Sequence, residues 1–170
     1  EERIEEFHLF AQDFNSLLGE MEDWQQQLQA KNAQLLRTSL HDPLTGLANR
    51  AAFRNVISTL MKDETARRSS ALLFLDGDNF KLINDNWGHA TGDKVLIEVA
   101  SRLMSFASKR HQAWRLGGDE FAILLRDVHS EAEVKALCVS LSGQFLKPFN
   151  LHNGHTAILS LSIGYALAWE

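Results

Sequence analysis

The sequence predicts an α+β domain preceded by one long helix. Two observations carry this prediction. Segments with helical spacing of apolar residues alternate with short apolar runs typical of strands, and residues 1–40 contain no proline and a single glycine, Gly19. Strands mixed with helices in this way favour a sheet with helices packed on it. The 170 residues suffice for one domain with a core and a short appendage, and not for two full domains.

The predicted N-terminal helix carries an apolar stripe, which we name the seam. Its positions follow alternating steps of three and four residues, and most are apolar: Phe7, Phe10, Phe14, Leu17, Met21, Trp24, Leu28 and Leu35, with Lys31 and Thr38 at the remaining two. This spacing is typical of a coiled coil. Two interpretations remain open: the helix folds back on the domain, or it pairs with a second copy in a parallel coiled coil and forms a homodimer. The narrow stripe favours pairing, because a helix on a globular core usually shows a wider apolar face.

Four further helices and at least five strands are predicted after residue 40. Asp42-Pro43 marks a turn, and Asn49 is expected to cap the helix that follows it. The first strand ends at Asp76, and residues 117–120 form the tip of a hairpin. The predicted elements are helices over 50–64, 79–86, 91–106 and 130–145, strands over 71–75, 113–116 and 121–125, and two last strands joined by a tight turn at Asn153-Gly154.

Composition excludes several classes of protein. Residues 1–40 hold eight acidic and three basic side chains, which account for the whole net charge of −5, so the remainder is balanced. No basic face is implied, and we expect no nucleic-acid partner. No apolar run approaches the roughly 18 residues of a membrane span. The one cysteine, Cys138, excludes an intrachain disulfide and suits a reducing cytosol.

Two acidic segments are candidates for chemistry. Asp76-Gly77-Asp78 ends a hydrophobic strand, and Asp119-Glu120 lies at the tip of the predicted hairpin. If the two strands are neighbours, the two segments converge, and repulsion between their carboxylates favours a bound cation. Hard oxygen ligands suit Mg²⁺, which typically takes one or two carboxylates plus substrate phosphates, as in phosphoryl transfer. The alternative is structural: a turn whose side chains cap backbone groups, and a plain glycine hairpin.

Five segments of the chain resemble the motifs of one known family. Residues 115–121 (Arg-Leu-Gly-Gly-Asp-Glu-Phe) resemble the signature of the GGDEF domain, the catalytic domain of diguanylate cyclases. The other four follow the family's order: 42–50 resembles its opening motif, 75–81 its metal-binding strand, 84–93 its guanine-binding segment and 159–165 its late strand. The resemblance implies a GGDEF catalytic domain over 41–170, with a ferredoxin-like, palm-type sheet flanked by helices.

The resemblance also implies a reaction and its metal. Members of the family condense two GTP into cyclic di-GMP and two pyrophosphates with Mg²⁺, or with Mn²⁺ in its place, where two domains meet face to face. The implied metal ligands are Asp76, Asp119 and the backbone carbonyl of Gly77. Asp119 is further implied to help deprotonate the 3′-hydroxyl, and Glu120 to support the metal or the attacking ribose.

The residues implied to bind GTP lie in one segment. Asn84 and Asp93 are expected to recognise guanine, because a carboxylate can accept from N1–H and the 2-amino group while an amide donates to O6. Adenine would leave these polar groups unpaired. Lys81, His89 and Phe80 complete the implied substrate-binding set, with Lys81 and His89 nearer ribose or phosphate. For His89, a packing or turn-capping role stays open.

The N-terminal segment has a resemblance of its own. Residues 10–18 resemble the second helix of a HAMP linker, and a HAMP end joined to a GGDEF domain resembles the YfiN-type membrane-anchored cyclases. This implies that 1–40 is a HAMP end and coiled-coil signalling helix. The chain is then expected to be the cytoplasmic domain of an inner-membrane protein, with its membrane regions outside this sequence. The uncapped start at Glu1 gives the same expectation of a longer protein.

The chain departs from the family pattern in two places. The window 108–111 lacks the arginine and aspartate of the family's inhibitory site, so product feedback through that site is not expected. The family's last helix, whose basic residues contact phosphates, is missing after Glu170. The alternative function is a degenerate GGDEF module that binds GTP or cyclic di-GMP as a sensor or scaffold. Such members usually lack the signature acids, whereas Asp119 and Glu120 are present here.

Overall fold

The computed structural model describes residues 2–107, 110–151 and 154–170, with side chains from residue 7 onward. The chain forms two compact units, Glu1–Ser39 and Leu40–Glu170. None of the described helices combines the length and the hydropathy needed to cross a membrane.

The first unit is the greater part of helix α1 (Glu2–Leu40), and its seam is exposed. Each apolar seam residue is more than half exposed, from 52% for Phe14 to 75% for Trp24. The rings of Phe10 and Phe14 stack with their centroids 6.4 Å apart. Helices in proteins owe most of their stability to the packing of an apolar face, and the seam is the apolar face that α1 offers for packing.

The second unit contains five helices and six strands within the described residues. In chain order these are α2 (Arg50–Lys62), α3 (Glu64–Arg67), β1 (Ser70–Gly77), α4 (Phe80–Trp87), α5 (His89–Ala107), β2 (Gln112–Gly117), β3 (Glu120–Arg126), α6 (Glu131–Phe145), β4 (Phe149–Asn150), β5 (Thr156–Ala157) and β6 (Leu161–Leu167).

Side-chain caps explain where three helices begin. The Oδ1 atom of Asn49 accepts a hydrogen bond from the N–H of Ala52 over 3.1 Å, as predicted. Ser130 caps α6 in the same way. Asp63 was expected to lie inside one helix over 50–64, but it adopts an extended conformation and caps the short helix α3. The predicted helix therefore ends at Lys62.

The main sheet has four antiparallel strands in the order β2-β3-β1-β6, which is the order of a ferredoxin-like fold. Strand β1 is central, and its register places Asp76 opposite Glu120 of β3 and Ser162 of β6. One face of the sheet packs in the larger core with α4, α5 and α6. The other face packs against α2 through Trp114 and Leu124. The predicted α+β, ferredoxin-like architecture with a long preceding helix is confirmed.

The end of the chain differs from the predicted terminal hairpin. Strands β4 and β5 form a separate two-stranded ribbon, whereas β6 joins the main sheet beside β1. Residues 158–160 separate β5 from β6, and Leu159 among them is buried in the core. The chain therefore leaves the ribbon before it enters the sheet. The predicted turn at Asn153-Gly154 lies partly outside the described residues.

Candidate active site

The two acidic segments lie side by side at one end of the central strands. The N–H of Gly77 donates to the carbonyl oxygen of Asp119 over 3.3 Å. A Cβ added at Gly77 would lie 3.5 Å from the Cβ of Asp119 and 3.7 Å from its Oδ2. On the neighbouring position of the ladder, Asp76 pairs with Glu120. Residues 42 and 44 positions apart thus meet because β1 and β3 are neighbours in the sheet.

The site concentrates negative charge around Asp119. Burial raises the pKa of this carboxyl above its usual range, and the charge and hydrogen bond of Asp76 and the charge of Glu120 raise it further. A hydrogen bond to its own backbone opposes part of this effect. A divalent cation would relieve the repulsion between the carboxylates. Within the described residues no group of three or more His, Cys, Asp and Glu is arranged to hold a metal, but Mg²⁺ commonly uses only one or two carboxylates beside phosphates.

Arg115 stabilises the conformation of the hairpin tip at residues 117–120. Its guanidinium donates to the carbonyl oxygen of Gly118 over 3.1 and 2.9 Å, and to the carboxylate of Asp42 over 3.1 and 3.0 Å. Gly117 and Gly118 have φ values of 142° and 53°, which a side chain would strain. Asp42 also accepts hydrogen bonds from the backbone and hydroxyl of Thr45. The turn before α2 therefore anchors the tip that carries Asp119.

Removing the Arg115 charge is expected to destabilise the fold in a pH-dependent way. Burial alone would raise the pKa of Asp42, but its bonds to Thr45 and Arg115 hold the pKa below the ordinary value of 3.8. The stabilisation is therefore complete above pH 3.8 and is lost as pH falls through the folded value. We expect Arg115→Gln to lower the free energy of unfolding at neutral pH by about 3 kcal/mol, since it strands a largely buried carboxylate.

Urea denaturation over a range of pH measures this effect. The difference between wild type and Arg115→Gln should begin to shrink as the pH falls below 3.8. It should vanish once the pH is below the lower pKa of Asp42 in the folded wild type, because Asp42 is then protonated in both proteins. A difference that stays constant from neutral to acid pH would show that the ion pair does not contribute.

Arg50 is a second basic residue at the site that the sequence analysis missed. Its Nη2 lies 3.4 Å from Oε2 of Glu120, and its Nε donates to the carbonyl oxygen of Leu116 over 2.8 Å. Both charged side chains are more than half exposed, so the pair adds little stability. It places one positive charge beside the acidic cluster.

Asp78 ties the turn after β1 to strand β6. Its carboxylate accepts hydrogen bonds from the hydroxyls of Ser162 over 2.6 Å and Ser160 over 3.1 Å. Its N–H donates to the carbonyl oxygen of Ser160 over 2.9 Å. This third acid of the segment therefore has the turn-stabilising role that the structural interpretation proposed.

A cavity of about 480 Å³ opens beside the acidic cluster. Its lining is mostly apolar and includes Phe74, which is 43% exposed, together with Asp76 and Glu120. Ser162 and Gly164 of β6 also line it. Its volume is in the range of small-molecule sites, which combine apolar walls with a few polar groups.

The predicted guanine residues lie where α4 and α5 pack together. The side chain of Asn84 rests against Gly92, the residue before Asp93. Within the described part of the chain, neither Asn84 nor Asp93 has a side-chain hydrogen bond to another protein group, so both are available to a ligand. Lys81 and His89 are exposed, without such a bond either.

Phe80 differs from the other members of the predicted substrate-binding set. Its side chain is only 8% exposed and belongs to the main core. It is the first residue of α4, and the first N–H groups of a helix have no partner within the helix. Since its side chain is buried, the backbone N–H of Phe80 is the group that could bind a ligand.

The two described residues of the window 108–111 serve the fold. Arg110 donates to the carbonyl oxygen of Asp127 over 2.9 Å and lies 3.5 Å from its carboxylate. Nδ1 of His111 accepts a hydrogen bond from the N–H of Arg126 over 3.2 Å. Positions 108 and 109 lie outside the described residues.

Comparisons with known proteins agree with this geometry. The sequence profile of the family described as "Diguanylate cyclase, GGDEF domain" matches residues 39–170. The chain is 69% identical to diguanylate cyclase DgcN of Escherichia coli over 170 residues, which is 100% of this chain and 42% of that protein. It is 42% identical to diguanylate cyclase TpbB of Pseudomonas aeruginosa over 96% of this chain and 38% of that protein. The chain thus spans about two fifths of these relatives.

Solved structures give the same assignment. The GGDEF domain of TpbB (YfiN) from Pseudomonas aeruginosa has a TM-score of 0.68 at 40% identity, covering 74% of this chain and 73% of that one. The coiled coil and GGDEF domain of DgcB from Caulobacter crescentus, in complex with c-di-GMP, has a TM-score of 0.82 at 27% identity, covering 89% and 81%. The chain therefore belongs to the GGDEF domain family of diguanylate cyclases, among relatives of the DgcN and YfiN type.

Proposed function

We propose that this chain is the catalytic part of a diguanylate cyclase that condenses two GTP into cyclic di-GMP and two pyrophosphates. The observation that carries the proposal is the contact of Gly77 with Asp119 beside the paired Asp76 and Glu120, which joins two acidic segments. Of these residues, Asp76 and Glu120 line the cavity. A non-catalytic module needs no such concentration of carboxylates. The names of the relatives give independent support.

The carboxylates of Asp76 and Asp119, with the backbone carbonyl of Gly77, form the oxygen donor set that suits Mg²⁺, with Mn²⁺ as a substitute. When bound, such an ion supplies charge neutralisation at the phosphates of GTP. Burial is the largest cause of the raised pKa of Asp119, and the charges of Asp76 and Glu120 add to it. A cation would offset those charges.

The protein residues supply proton transfer and positioning. The 3′-oxygen of one GTP attacks the α-phosphorus of the other, and the bond from that phosphorus to the pyrophosphate oxygen breaks. Asp119 takes the proton of the 3′-hydroxyl. Glu120, held beside Arg50, orients the attacking ribose. The second bond forms in the same way with the partners exchanged, so two equivalent sites must face each other.

Base recognition falls to Asn84 and Asp93. Asp93 accepts from N1–H and the 2-amino group of guanine, and the Asn84 amide donates to O6. Lys81 lies in α4 and His89 in α5. Both side chains are exposed and have no protein partner among the described residues. Their role is to contact the phosphate or ribose of GTP. ATP would leave Asn84 and Asp93 unpaired, which is costly in a site built to hydrogen-bond the base.

Because the reaction requires two sites, the proposed partner of helix α1 is a second copy of the same helix. A second copy of α1, paired in parallel through the seam, would cover the exposed apolar residues and bring two catalytic units into one assembly. We assign 1–40 to a HAMP end and signalling coiled coil, and 41–170 to the catalytic domain. We further propose that the chain is the cytoplasmic domain of an inner-membrane protein.

The direct test is to incubate the purified chain at high concentration with GTP and Mg²⁺ and to separate the products by chromatography. Cyclic di-GMP and pyrophosphate in a 1:2 ratio are expected, with no product from ATP. Tight GTP binding with no turnover would contradict the proposal and indicate a nucleotide-sensing module instead.

A further inference from the structure

Gly92 lies directly beneath the side chain of Asn84. It is a buried residue in the first part of α5. A Cβ added at this position would lie 1.8 Å from Oδ1 of Asn84, 2.9 Å from its Cγ and 3.3 Å from Cζ of Phe80. The first two distances are far inside van der Waals contact, so no side chain fits at residue 92 while Asn84 keeps its position.

The other glycines of the chain do not show this crowding. A Cβ at Gly77 would make ordinary contacts, and at each of the remaining eight positions it would meet nothing within 4 Å. Gly92 is also not among the glycines with a positive φ, so its backbone does not adopt the left-handed conformation. Space for Asn84, and not backbone conformation, is therefore what position 92 requires.

Glycine inside a helix is unfavourable by about 1 kcal/mol relative to alanine. This cost is offset if the missing side chain lets the amide of Asn84 settle into the groove between α4 and α5. Cζ of Phe80, a core residue, lies 3.3 Å from the same Cβ position, so its ring also borders residue 92. Asn84 is thus held by shape, with its amide free of protein hydrogen bonds within the described residues.

We propose that Gly92 is a positioning residue for base recognition: the absence of a side chain there fixes the Asn84 amide beside Asp93, and the preference for guanine over adenine depends on it. The proposal rests on the guanine-binding role given to Asn84 under the proposed function. It adds that discrimination between the bases is set by a residue that does not itself contact the nucleotide.

The test is Gly92→Ala, with binding of GTP and ATP measured by isothermal titration calorimetry. Displacing one hydrogen-bonding amide should weaken GTP binding by about tenfold and leave ATP binding nearly unchanged, so the preference for GTP should collapse. Gly143→Ala is the matched control. Gly143 also lies inside a helix, α6, but a Cβ there meets nothing within 4 Å, so the preference should be retained.

A double-substitution cycle separates positioning from general damage. With Asn84→Ala already present, the overlap with Asn84 is removed and only the 3.3 Å approach to Cζ of Phe80 remains. Adding Gly92→Ala should then change GTP affinity by less than about twofold. If Gly92→Ala alone fails to fold, the pair Asn84→Ala/Gly92→Ala should fold, as followed by circular dichroism and thermal unfolding.

Three results would overturn the proposal: Gly92→Ala with the wild-type preference for GTP, additive effects of the two substitutions, or a double variant that still fails to fold. Because the readout is binding, it does not depend on turnover. Cyclic di-GMP synthesis by the wild type tests the proposed function separately.

Discussion

Asp119→Asn is expected to lower the rate of cyclic di-GMP synthesis by about three orders of magnitude, equivalent to roughly 4 kcal/mol of transition-state stabilisation. The substitution keeps the size of the side chain but removes a charged oxygen donor and the proposed base for the 3′-hydroxyl. It also removes the repulsion with Asp76 that raises the pKa of Asp119, so the fold should become no less stable. Initial rates of pyrophosphate release, together with thermal unfolding, measure the two effects.

Glu64→Gln is the matched control for this prediction. Glu64 is an exposed acid paired with Arg68 at the start of α3, outside the cavity lining. Exposed pairs of this kind contribute little, and its loss should leave activity unchanged. If the Asp119→Asn variant keeps more than a tenth of the wild-type rate, Asp119 is neither the base nor an essential metal ligand in the reaction.

Trp24→Glu is expected to abolish the dimer and to reduce cyclic di-GMP synthesis at least about tenfold, if two seams pair as proposed. Trp24 is the most exposed apolar seam residue, at 75%. In a parallel pair it would meet its own copy near the middle of α1, and two carboxylates there would repel each other. Sedimentation velocity and product formation, measured on the same samples, report the two losses together.

Gln26→Glu adds the same charge on the outward side of α1. Gln26 is exposed and is not a seam position, so this variant should remain dimeric and active. A Trp24→Glu variant that dimerises like the wild type would show that the seam is not the interface. A monomeric variant with full activity would show that pairing through α1 is not needed for the two sites to meet.

Local signals in the sequence were sufficient for most of the fold. Asn49 and Ser130 cap helices as their residue types predict, and the apolar run before Asp76 forms the central strand. These features depend on neighbours in the chain. The expected meeting of Asp76 and Asp119 required the additional condition that β1 and β3 pair, which the sheet order supplies.

The contacts that hold the site could not be predicted, because they join distant positions. Arg115 reaches Asp42 across 73 positions and Arg50 reaches Glu120 across 70. Asp78 bonds to Ser162 across 84 positions. Each depends on strand register and on where a turn ends, which local pattern does not determine. The overlap that reserves position 92 for glycine likewise depends on how α4 crosses α5.

The most direct measurement is a crystal structure of the chain with Mg²⁺ and a non-hydrolysable GTP analogue. We expect one ion within about 2.1 Å of a carboxylate oxygen of both Asp76 and Asp119, with the remaining positions taken by phosphate oxygens, water and the Gly77 carbonyl. An ion held by the phosphates alone, with either aspartate turned away from it, would contradict the claim that these two acids form one metal site.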